Sequence, residues 1–73
     1  MGPEHLEVIK QNEHPDLSDV MTEDMHVIDY DDGKFHCTEL FTHEGAYRGY
    51  AKTKDEAIHK AVEIYKESHK ENK

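Results

Sequence analysis

The chain has 73 residues, with nine Lys and Arg against seventeen Asp and Glu, for a formal net charge of −8. It has one cysteine and no apolar run longer than three residues, which excludes a membrane-spanning helix, an internal disulfide and a cysteine-paired zinc site. A chain this short makes one small domain that buries only about 60% of its unfolded surface, so a second subunit is a natural source of added stability.

The N-terminal segment, residues 1–24, is acidic and irregular. His5 to Lys10 is a candidate edge strand with Leu6 and Val8 on one face, and Leu17, Val20 and Met21 have the spacing of a one- or two-turn helix after Pro15. Residues 25–52 then read as a β-meander. Met25 to Asp31 and Lys34 to Thr42 flank Asp32-Gly33, a dipeptide suited to the positive φ angles of a type I′ hairpin turn. That turn places Tyr30 opposite Phe35, Ile28 opposite Cys37 and His26 opposite Glu39. A looser turn at His43, Glu44 and Gly45 leads to a third strand, Ala46 to Lys52, with Phe41 opposite Tyr47 and Cys37 opposite Ala51. Residues 54–70 form the clearest element, a helix with Ala57, Ile58, Ala61, Val62, Ile64 and Tyr65 in one stripe. Thr53 and Glu56 stand in capping-box positions at its start, and Lys66 and Lys70 complement its C-terminal end.

The expected fold is a single α+β domain: a three-stranded antiparallel meander, with the N-terminal segment as a candidate fourth strand, packed on one C-terminal amphipathic helix. Gly49 and Ala51 leave room for that helix, which places it on the face that carries Tyr30, Ile28 and Cys37. The opposite face then carries Met25, Val27, Thr38, Leu40, Arg48 and Tyr50, with Asp29, His36 and Lys52 at its margin. That is too apolar for a solvated surface, so Met25, Val27, Leu40, Arg48 and Tyr50 are the expected interface of a homodimer.

No enzyme chemistry is visible. The seven histidines contain no helical i, i+4 pair, and no metal site or cofactor is expected. Cys37 with His26 or His36 has the composition of a nucleophile and base, but on the face assigned to the core it is a buried thiol. Asp31 and Asp32 sit where a turn favours aspartate for backbone reasons.

The charge is the distinctive feature. The first 32 residues hold ten carboxylates against Lys10 alone, a net of −9, whereas residues 33–73 hold eight Lys and Arg against seven Asp and Glu, a net of +1. A one-sign field steers association with opposite charge and repels like-charged polymers. Carboxylates three to five residues apart imitate the anion spacing of nucleic acid better than they bind it. Asp16, Asp19, Glu23, Asp24, Asp29, Asp31 and Asp32 are the candidate contacts to Lys and Arg of a basic partner.

The stretch Gly49-Tyr50-Ala51-Lys52-Thr53-Lys54-Asp55-Glu56-Ala57-Ile58-His59-Lys60-Ala61 is similar to the end of a double-stranded-RNA-binding domain, where Gly-x-Gly runs into Ser-Lys-Lys-x-Ala-Lys-x-x-Ala-Ala. Lys54 matches the first family lysine, while Asp55 and Ile58 replace the other two that grip phosphates. A related pattern occurs in small antitoxin-type domains. Both resemblances imply a nucleic-acid or protein interaction module using Lys52, Lys54 and Lys60. The whole chain, by size, charge bias and sheet-plus-helix plan, resembles small acidic bacteriophage host-takeover proteins of the DNA-mimic type. That resemblance implies a phage protein, not an enzyme, that acts as an inhibitor by binding a histone-like protein of the HU type. It further implies a cytoplasmic homodimer that binds no nucleic acid directly and no membrane.

Overall fold

A computed structural model describes residues 5–69. The elements in order are β1 (His5–Ile9), a 3-10 turn (Gln11–Glu13), α1 (Pro15–Val20), β2 (His26–Asp31), β3 (His36–Thr42), β4 (Gly45–Ala51) and α2 (Lys54–Ser68). The strands form one antiparallel sheet in the order β1-β2-β3-β4. The fold is therefore α+β, with the expected meander extended by the N-terminal strand, and α2 packed against the sheet. Lys70, expected near the end of the last helix, lies outside the described residues.

Local chemistry explains each boundary. Pro15 opens α1 at a position where its missing N–H is no loss, and His14 Nδ1 accepts from the Asp16 N–H at 3.1 Å. Thr53 caps α2, its hydroxyl oxygen accepting from the Glu56 N–H at 3.2 Å; this is the threonine half of the expected capping box.

Both hairpin registers differ from expectation. Tyr30 pairs with Cys37 and Ile28 with Glu39, so the turn is centred on Gly33 and Lys34, one residue later than Asp32-Gly33. Gly33 has φ of 94° and no other described residue near the turn has a positive φ, which suits a type II′ turn with glycine first. Asp32 stays outside the turn because its carboxylate accepts from the Lys34 and Phe35 N–H groups at 2.9 and 3.0 Å. Partners shift by two, so the faces of β2 and β3 are unaltered. The β3–β4 slip has a larger effect. Gly45, at φ of 148°, already belongs to β4 and pairs with Thr42, which leaves a two-residue turn. Tyr47 consequently pairs with Leu40 and Tyr50 with Cys37, and β4 is inverted relative to β3 against the expected register.

The helix therefore covers the other face of β2 and β3. Val27 and Leu40 are fully buried and cluster with Ile9, Leu17, Met25, Ile58 and Val62. Met25, Val27 and Leu40 thus belong to the core beneath α2 and not to an exposed interface, while Arg48 and Tyr50 lie on the uncovered side. The expected role of Gly49 holds. A Cβ at Gly49 would lie 2.5 Å from the Ala57 carbonyl oxygen, 2.9 Å from the Lys60 carbonyl carbon and closer still to the Ala61 nitrogen. Backbone meets backbone here, with Ala57 and Ala61 as the small helix residues at the contact.

Gly49→Ala must push α2 off the sheet and is expected to cost about 1–3 kcal/mol, read as a lowered urea midpoint with an unchanged slope. A midpoint equal to that of the parent protein would contradict the packing described.

Candidate functional site

The candidate carboxylates fall into two groups at opposite ends of β2. The first occupies α1 and the loop that follows. Asp19, Glu23 and Asp24 are exposed and Asp16 is half-buried. Asp16 Oδ2 accepts from His59 Nδ1 at 2.7 Å, which ties α1 to α2, and His59 Nε2 lies 3.3 Å from Glu63. The hydrogen bond that His59 donates to Asp16 raises the His59 pKa above the ordinary imidazole value, with Glu63 adding to it. Asp24 is held below the usual carboxylate range, first by the Thr22 hydroxyl that donates to it; His43 lies 3.7 Å away.

The second group is the β2–β3 turn. Asp31 accepts from the Gly33 N–H at 2.8 Å. Asp32 is exposed, and the Phe35 and Lys34 N–H groups lower its pKa. From Asp24 to Asp31 the chain is almost entirely extended, so the groups stand about 20 Å apart at roughly 3.3 Å per residue.

Asp29 does not belong to either group. It is 2% exposed, faces α2, and accepts from Thr38 Oγ1 at 3.0 Å and from His36 Nδ1 at 2.7 Å. A carboxylate enclosed in this way cannot reach a partner, so Asp29 is a structural residue and not a contact. Its polar neighbours Thr38 and His36, expected on the face opposite the helix, lie with it beneath α2; the cross-strand bonds are what permit their burial.

The acidic excess is not neutralised internally. Among the described residues the ion pairs made by Lys and Arg are Arg48 with Glu39 at 2.8 Å and Lys54 with Glu7 at 3.2 Å. Neither involves a candidate carboxylate. Imidazoles are the counterparts instead: His14, His36, His43, His59 and His69 each lie within 4.0 Å of a carboxylate. The abundance of histidine signalled this pairing, but the partners come from distant segments and could not be read from spacing.

The second feature is the sheet face that α2 leaves uncovered. It carries Leu6 and Val8 from β1, Ile28 and Tyr30 from β2, Cys37 and Phe41 from β3, and Ala46 and Tyr50 from β4. Leu6, Val8 and Tyr50 are 55%, 62% and 61% exposed, and Phe35 beside them is 49% exposed. Glu39 and Arg48 form the ion pair in its middle, and burial together with the nearby Glu39 carboxylate raises the Tyr30 phenol pKa. Tyr30, Phe35, Cys37 and Tyr50 line a recess of about 150 Å³ together with Asp32 and His36. Cys37 is thus half-buried on the open face instead of in the core. Of the two histidines considered as its base, His36 is turned to the opposite face onto Asp29, and His26 pairs with Phe41 four residues along.

Of the helix-start lysines, Lys54 is half-buried and bonded to both Glu7 oxygens, while Lys52 and Lys60 are exposed. Among the described residues no group of three or more His, Cys, Asp and Glu side chains is arranged to hold a metal ion, and no helix is long and apolar enough to cross a membrane. No protein-family model, curated protein or solved structure matches the chain.

The His59–Asp16 contact has a defined pH signature. The native state holds the His59 proton more tightly than the unfolded chain does, so the contact stabilises fully below the unfolded value near 6.5 and is lost as pH rises through the higher native value. An NMR titration of the imidazole is expected to show a midpoint above 6.5 that Asp16→Asn lowers. A midpoint unmoved by that substitution would remove Asp16 as the cause.

Proposed function

We propose that this chain is an inhibitory binding protein that presents carboxylates in place of a nucleic-acid phosphate backbone and occupies the DNA-binding groove of a basic protein of the histone-like HU type. The observation that carries the reading is the set of carboxylates on α1, the following loop and the β2–β3 turn, none of which makes an ion pair with Lys or Arg within 4.0 Å among the described residues. Asp16, Asp19, Glu23 and Asp24 form the main contact and Asp31 and Asp32 a second one; Asp29 drops out. The protein acts as a homodimer in the cytoplasm of a bacterial host, as a phage product would. It needs no cofactor, performs no catalysis and does not itself bind nucleic acid. The alternative, a double-stranded-RNA-binding-like or antitoxin-like module, draws less support, because Lys54 is already engaged by Glu7.

Exposed ion pairs are individually worth about 0–1 kcal/mol, so affinity comes from several acting together and from steering. Both weaken with salt, since the Debye length falls to about 3 Å at 1 M. The test is displacement of a labelled DNA duplex from a histone-like protein. The parent chain is expected to displace it at low salt, and the triple variant Asp19→Asn, Glu23→Gln, Asp24→Asn to need at least about tenfold more protein, equivalent to 1.4 kcal/mol. Equal displacement by the variant would end the mimicry reading, as would a direct gel shift of DNA or RNA by the parent chain.

A further inference from the structure

We infer that the uncovered face of the sheet is the contact surface between two copies of this chain. The inference does not rest on the acidic surface; it rests on the composition, size and charge of the face opposite α2. An antiparallel sheet with one face on a core ordinarily turns polar residues to water on the other. Here Leu6, Val8, Ile28, Tyr30, Cys37, Phe41 and Tyr50 project from four adjacent strands to the same side, and the largest exposures among the apolar residues are at Val8 and Tyr50.

The area suits a second copy. Four strands about 4.8 Å apart and five to seven residues long span roughly 20 by 20 Å. With half-exposed aromatic side chains standing on it, that footprint presents on the order of 600 Å² of accessible surface, at the upper end of what a monomer leaves as a single apolar patch. Two such faces together bury about 1,200 Å², where specific interfaces begin. The resulting arrangement is a helix–sheet–sheet–helix sandwich in which each copy supplies the layer the other lacks. The described core of one copy is small, with nine buried hydrophobic residues, so a second apolar layer adds materially to it.

Charge selects the same occupant. Each copy has a net charge of −8, and bringing the acidic ends of two copies together is repulsive. The open face is different. Its central carboxylate, Glu39, is 7% exposed and bonded to Arg48 at 2.8 Å, so the middle of the face is locally neutral; Asp32 reaches the recess at one end of it, and the other candidate acids lie towards the ends of β2. Two copies can therefore meet across the middle of this face without opposing unpaired carboxylates there. A basic partner, by contrast, is drawn to the ends. The surface is also self-complementary by construction, since a two-fold axis through the sheet face sets one patch against itself.

The experiment is light scattering coupled to size exclusion on the full chain over a range of concentrations. The parent protein is expected at twice the 8.5 kDa chain mass, and Val8→Glu and Tyr50→Asp are each expected to halve it while keeping the far-ultraviolet circular dichroism. Both side chains are exposed in the single copy, so the fold does not depend on them. A parent protein that stays at one chain mass overturns the inference, as does a dimer that both folded variants leave intact. Should a variant lose its fold, intermolecular NOEs in a mixture of labelled and unlabelled parent chains decide: the Leu6, Val8 and Ile28 methyl groups are expected to give them. Intermolecular NOEs from Ile64, the exposed aliphatic residue of α2, in their place overturn it. Failure of DNA displacement with an intact dimer would count against the acidic reading alone.

Discussion

The close backbone approach of α2 to β4 at Gly49 is the constraint on which the rest depends. With no side chain at Gly49 and only methyl groups at Ala57 and Ala61, the helix backbone lies directly on the strand. At that depth Ile58 and Val62 join Leu40, Val27 and Ile9 in one cluster, and Leu17 of α1 closes its end. The C-terminal end is held by Tyr47 and Tyr65, whose rings meet edge to face at 5.4 Å, with His69 at 4.3 Å from Tyr65. Once this side is filled, the alternation of the strands commits Tyr30, Phe41 and Tyr50 to the other.

The polar chemistry follows from the same arrangement. Asp29 and Thr38 are directly opposite each other beneath the helix, and with His36 they form a self-satisfied group, so their burial leaves no polar atom unpaired among the described side chains. The exposed carboxylates have no such enclosure. Three of them have an imidazole counterpart, His59 at Asp16, His43 at Asp24 and His36 at Asp31, and His59 holds its proton above the ordinary imidazole value. A binding surface of this kind is sensitive to both salt and acidity.

Elements were more legible in the amino-acid sequence than faces. The stripe from Ala57 to Tyr65 with Thr53 before it announced α2, Pro15 and Leu17 announced α1, and Leu6 and Val8 announced an edge strand. The helix-covered face was misassigned for two physical reasons. Counting Gly45 into the β3–β4 loop slipped the register by one residue, which inverts every side chain of β4 relative to β3. In addition, Tyr30, Ile28, Cys37 and Phe41 outweigh Val27, Leu40 and Thr38 in apolar bulk, and bulk was taken as a sign of burial. The true core face also carries the polar groups Asp29, Thr38 and His36. Only the cross-strand pairing of Asp29 with Thr38 reveals that those groups satisfy one another, and pairing is not a local property of sequence. For the acidic set, spacing proposed the residues, but the removal of Asp29 and the split into two ends required the fold.

The face that α2 covers determines where the core, the apolar surface and the acidic ends lie. Methyl NOEs within a single copy test it most directly. The account predicts contacts from Val27 and Leu40 to Ile58 and Val62, and none from Val8 or Ile28 to those helix residues. Contacts from Ile28 or Val8 to Ile58 and Val62 would place the helix on the opposite face and contradict it.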